Sequence, residues 1–294
     1  MITQTAAASV VATTLEEFLD RSGGDHSAER IQRIGLAMGA GGILLATGVI
    51  ALVVLVPLDR GDRDVLVQAV VLGGIIASFG AIVEVFGIAN LLELGWWDAF
   101  RDESGAAPMM RLLGALLIVL GVIASQRVPL FAIGGVAVGL LSFAFDGHTN
   151  SEGPRVVHAL VDLAHVGAAG VWFGGVVALA ILARRGSLVG DRAVLGLRFA
   201  SLATAALVVV TLAGIVMAAF ILDDIGDLWG TTWGRMLLLK TVLVAAVAAL
   251  GGYHHLAITD HGGRRRIAGT LVAEAALFVT VIAVTAVLVT SSPG

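Results

Sequence analysis

The sequence predicts an all-α, polytopic integral membrane bundle of about eight transmembrane helices. Three observations lead there. The 294 residues are 58% hydrophobic and only 14% charged, against about 25% charged residues in a soluble domain. Mean hydropathy is +0.97. Apolar runs of roughly 20 residues, the length that crosses about 30 Å of hydrocarbon as helix, recur along the chain between short polar breaks.

Residues 1–32 form a polar or amphipathic N-terminal segment without the basic start and apolar core of a secretory signal. It reads equally as disorder or as a short interfacial helix with Val10, Val11, Leu15, Phe18 and Leu19 on one face. Spans follow at 34–57, 65–92, 109–125, 128–145, 155–182, 198–222, 233–256 and 267–290. LDRGDRD, DESGAAP, ARRGSLVGDR and HGGRRR punctuate them. Small residues four apart, as at Gly35/Gly39 and Gly170/Gly174, let membrane helices approach closely.

Residues 33–145 and 146–294 read as two related four-helix halves. A short apolar likeness aligns GAIVEVFGIANLL (80–92) with AGIVMAAFILDD (213–224), setting Glu84 opposite Met217. Ten arginines fall in the odd-numbered loops and seven on the opposite side. The positive-inside rule then makes the odd loops cytoplasmic and puts both termini outside.

Several function classes drop out. A net charge of −4 argues against nucleic acid. The absence of cysteine removes thiolate metal sites and iron–sulfur clusters. No G-x-x-x-x-G-K-[ST] loop is present, so any transport is passive, gradient-driven or dependent on a partner.

The fifth span, HALVDLAHVGAAGVWFGG (158–175), carries the chemistry. His158, Asp162 and His165 stand at i, i+4 and i+7, on one helix face, and Trp172 continues the stripe. Ionisable groups are rare in lipid and generally line a pathway or site. Two turns separate the imidazoles by about 10 Å of rise, too far for one ion with bonds of roughly 2 Å. They suit successive stations, with Asp162 orienting either ring.

Met109, Met110, Met217, Met236, Glu84 and His148 share the outer depth. Thioether is a soft ligand that favours Cu(I), and imidazole suits copper and zinc, so the set points to copper. Lys240 requires an acceptor inside the membrane, from Asp162 or Glu84.

GHT (147–149), DLAHVGAAGVWFGG (162–175), RFASLA (198–203), TTWGRMLLLK (231–240) and a last span holding Glu274 follow one another in order. In this the chain resembles the copper-resistance CopD family over about residues 146–294. That family is marked by a histidine after the fourth span, D-x-x-H-x6-W-x-G-G on the fifth and T-x-Y-G-R-x-L-L-x-K entering the seventh. The resemblance implies a bacterial inner-membrane protein of copper import or tolerance. It gives His148, Asp162, His165, Trp172, Arg235 and Lys240 the family's motif positions. Trp233 replaces the usual tyrosine, and YHH (253–255) replaces an Asn-Arg pair. No CopC-like domain is legible, so the resemblance also implies a separate periplasmic CopC-like copper chaperone. Two other classes stay open. One is a b-type haem redox protein, since H-x6-W with a membrane lysine is similar to HemJ-type protoporphyrinogen oxidases. The other is a structural subunit without transport of its own.

Overall fold

The computed structural model describes residues 2–125, 130–146, 155–186, 193–222, 224–259 and 264–291, with side chains from residue 26 onward except at 125, 155, 193–195, 197–198 and 254–268. Among them no strand occurs. Eight helices carry the fold: α1 (Ile2–Leu55), α2 (Arg60–Leu91), α3 (Ala106–Ser125), α4 (Leu130–Leu141), α5 (Arg155–Arg184), α6 (Ala193–Ile221), α7 (Thr232–Thr259) and α8 (Arg264–Val289). Seven contain a stretch long and apolar enough to cross a membrane, and the chain is a polytopic helical bundle.

The fourth segment departs from expectation. The sequence run 128–145 suggested a full span, but the helix starts at Leu130, ends at Leu141 and tightens into a 3-10 turn over Ser142–Phe145. At 1.5 Å per residue, and about 2 Å in the turn, it reaches roughly 26 Å. That is short of a full hydrocarbon layer.

Local chemistry fixes the helix starts. Asp59 caps α2, its carboxylate accepting from the Asp62 backbone N–H at 2.8 Å. Asp102 does the same before α3, accepting from the Ser104 N–H at 2.9 Å. Each cap satisfies a donor that the first helical turn leaves without a partner.

Helix α1 is the hub, packing on α2, α3, α4, α5 and α8. Glycines make this possible. A Cβ on Gly48 would stand 2.6 Å from the Gly174 Cα, and one on Gly35 2.6 Å from the Glu84 Cα. Backbones therefore touch where side chains would hold them apart. Helices α5, α6, α7 and α8 close a ring against α1, α5 meeting α8 directly. Its members are unequally held. In the most apolar 18-residue window, 72% of α1 is buried, against 6% of α7.

Candidate functional site

The ring encloses a cavity of about 620 Å³. Helix α5 places its glycine face on α1 and turns the other face inward, so His158, Asp162, His165, Ala169 and Trp172 all line the space. Aromatic rings form the floor: Trp172 meets Phe278 edge-on at 5.0 Å between centroids, and Phe173 meets the same ring at 5.5 Å. Leu36, Ala40 and Leu44 of α1 supply an apolar wall, while Asp146, Asp227 and Thr231 stand at the opposite end.

His165 is held in a defined way. Its Nδ1 lies 3.0 Å from the Val210 carbonyl of α6. A carbonyl only accepts, so Nδ1 carries the proton and Nε2 keeps its lone pair. Gly214, one turn further along α6, makes room: a Cβ there would lie 3.4 Å from the His165 Cε1. His158 stacks on Phe220 with centroids 4.2 Å apart. Its Nε2 is buried without a hydrogen-bond partner among the described residues.

These two contacts fix the register of α5 against α6. The helices are antiparallel neighbours, so the position level with His165 is Val210, and seven residues back from His165 is level with seven residues on from Val210. Met217 therefore stands level with His158. It lines the cavity too, as the one thioether among the described residues that does.

Asp162 and Lys240 face this space from α5 and α7. At 1.5 Å per residue they lie about 10 and 12 Å from the first residues of their helices, and His165 lies about 15 Å in. Asp162 and Lys240 bear opposite formal charges and open on the same space. Yet among the described residues neither has an ion pair within 4.0 Å or a hydrogen bond.

The remaining candidates lie elsewhere. His148 falls outside the described residues. Met109, Met110 and Met236 do not line the cavity. Arg235 is exposed and reaches the Thr232 hydroxyl at 3.3 Å. Glu84 is not the partner of Lys240. Its carboxylate accepts from the guanidinium of Arg111, which also donates to Asp146. Arg111 is 0% exposed and Glu84 3%, and the Phe143 ring centroid is 5.2 Å from the guanidinium carbon.

This buried network escaped the sequence reading, which counted Arg111 as an outer-loop charge. The available signal was an arginine already inside an apolar run, with an acid at similar depth on the preceding span. Through it α2 and α3 hold Asp146 at the end of the cavity. Among the described residues no group of three or more His, Asp or Glu side chains is placed to hold a metal ion.

Comparison with known proteins agrees with the motifs. The family model for copper resistance protein D matches residues 193–288, which run through α6, α7 and α8. Copper transport protein CutJ of Bacillus subtilis (strain 168) is 29% identical over 242 residues, covering 72% of this chain and 44% of CutJ. The chain thus spans less than half the length of that curated relative. No solved structure matches. Arg235 and Lys240 fall within the family match, whereas the His158–Trp172 stripe precedes it. Over residues 193–288 the chain carries the sequence pattern of the copper resistance protein D family.

Proposed function

We propose that this protein handles copper in the bacterial inner membrane, passing the ion through the cavity inside the α5–α8 ring. The observation that carries this reading is the His165 imidazole. Its Nδ1–H is spent on the Val210 carbonyl, and it lines the same intramembrane space as Asp162 and Met217. A ring held in one tautomer by its other nitrogen is the usual state of a metal-ligating histidine.

The donors divide by depth into two stations. His158 and Met217 form the outer one, a pairing of imidazole and thioether that suits soft Cu(I). His165 and Asp162 form the inner one. With His158 and His165 about 10 Å apart along the helix, one ion visits them in turn. His148 and the acidic end at Asp146 and Asp227 would receive copper from a periplasmic CopC-like chaperone. The arginine distribution, ten against six once the buried Arg111 is left out, supports an outward orientation of that end.

The test is copper binding by detergent-purified protein under reducing conditions, followed by elemental analysis and a visible spectrum. Wild type should retain copper above empty micelles. His165→Ala should lose the inner station and Met217→Leu should weaken the outer one. A wild-type protein without copper affinity, or one that purifies with a Soret band, would overturn the reading. So would a His165→Ala variant that binds as wild type does.

A further inference from the structure

We infer that Lys240 is a tethered competitor for the metal ion, occupying the field of Asp162 when the site is empty and keeping affinity low enough for release. The inference rests on the proposed cation site at Asp162 and His165. Its own basis is geometric. A lysine inside a membrane helix is costly unless paired, and Lys240 opens on the cavity that Asp162 and His165 line. Neither Lys240 nor Asp162 has a direct partner within 4.0 Å among the described residues. Glu84, the other acceptor the sequence offered Lys240, is committed to Arg111.

Asp162 and Lys240 line one cavity without direct contact, which leaves a gap between them. A cation entering that gap meets attraction from Asp162 and repulsion from Lys240. Inside a protein such charges act through an effective dielectric near 20, so repulsion at several ångströms is several-fold stronger than in water. An ion pathway works only where binding is favourable enough to admit the ion and weak enough to let it leave. Asp162 and His165 supply the first condition and Lys240 the second. Attachment to α7, the least buried helix of the ring, lets the ammonium withdraw when the ion arrives.

The experiment measures Cu(I) affinity by competition with a chromophoric Cu(I) chelator, on wild type and the variants Lys240→Met, Lys240→Gln and Lys240→Arg. Monodispersity in detergent checks folding. Either neutral variant should bind Cu(I) about ten- to a hundred-fold more tightly than wild type. Lys240→Arg, which keeps the charge, should stay within about threefold of wild type. In proteoliposomes the tighter-binding variants should take up copper more slowly. Unchanged or weaker affinity in both neutral variants, with wild type binding normally, would overturn the inference alone. Absence of Cu(I) binding in wild type would overturn it together with the proposed copper site.

Discussion

Replacing Arg111 with methionine tests the buried network that holds Asp146 at the cavity. Methionine keeps most of the side-chain volume and removes the charge, so two carboxylates lose their shared donor. Glu84 is 4% exposed at the side chain and Asp146 13%, so little solvent is available to replace it. Removing one partner of a buried pair costs about 3–5 kcal/mol. With Glu84 deprived of its donor and Asp146 of one of its interactions, Arg111→Met should fall within that range. The double variant Glu84→Gln/Arg111→Met removes the more deeply buried carboxylate charge as well. It should recover part of that loss, since a neutral amide left without a partner costs only about 1–3 kcal/mol. Arg111→Lys should not rescue, because an ammonium lacks the planar fork that donates in two directions. Equilibrium unfolding in mixed micelles, followed by circular dichroism, measures all four proteins. An Arg111→Met variant within 1 kcal/mol of wild type, or a double variant less stable than the single, would refute the assignment.

Three further outcomes follow from particular contacts. Gly214→Val should weaken Cu(I) binding by about tenfold or more without removing a donor, because the added atoms press on the His165 ring that Gly214 accommodates. Chelator competition reads this, and unchanged affinity counts against the His165 station. Gly48→Leu should prevent assembly of a monodisperse bundle, since its Cβ would stand 2.6 Å from the Gly174 Cα, whereas Gly134→Leu meets nothing within 4 Å and should express as wild type; size-exclusion profiles compare them. Single cysteines placed in this cysteine-free chain should report its orientation. Trp97→Cys, at an exposed position of the short helix Trp96–Ala99, should react with an impermeant maleimide in intact cells, and Arg184→Cys should react only after permeabilisation. The reverse pattern would invert the proposed topology.

The spans were legible because hydropathy acts along one dimension. Seven of the eight apolar runs are long membrane helices, with ends within several residues of those expected except at α1, whose helix runs back without a break to Ile2. The inward stripe of α5 was legible for a similar reason, as helical period alone puts His158, Asp162 and His165 on one face. What the single sequence could not supply was pairing between helices. Arg111 sits near the start of an apolar run, where a charge is ordinarily interfacial, and only the approach of α2 and α3 brings it to Glu84. That pairing also takes Glu84 out of the two acceptors expected for Lys240. The methionines show the same limit from the other side. Met109, Met110, Met217 and Met236 share a depth, but depth is not direction, and only Met217 turns into the cavity. The shortness of the fourth helix was hidden by its composition, because the apolar run continues through Ser142–Phe145, where the α-helix has already given way to a 3-10 turn.

Packing decides which part of the cavity can adjust. His158, Asp162 and His165 share one helix, so their mutual spacing is set by the α-helical rise and cannot change without unwinding α5. That helix is fixed in turn by its backbone contact with α1 at Gly48 and Gly174. The donors therefore behave as a rigid ladder, with Met217 and Val210 facing its outer and inner rungs from α6. An ion that moves down such a ladder needs the opposite wall to accommodate it at each level. The opposite wall at the inner rung is α7, which packs mainly on α8 and only lightly on α6. A loosely packed element can shift at small cost in lost contacts, whereas a glycine-clamped pair cannot. The fold thus places the proposed ligands on the clamped side and its one membrane lysine on the loosely packed side.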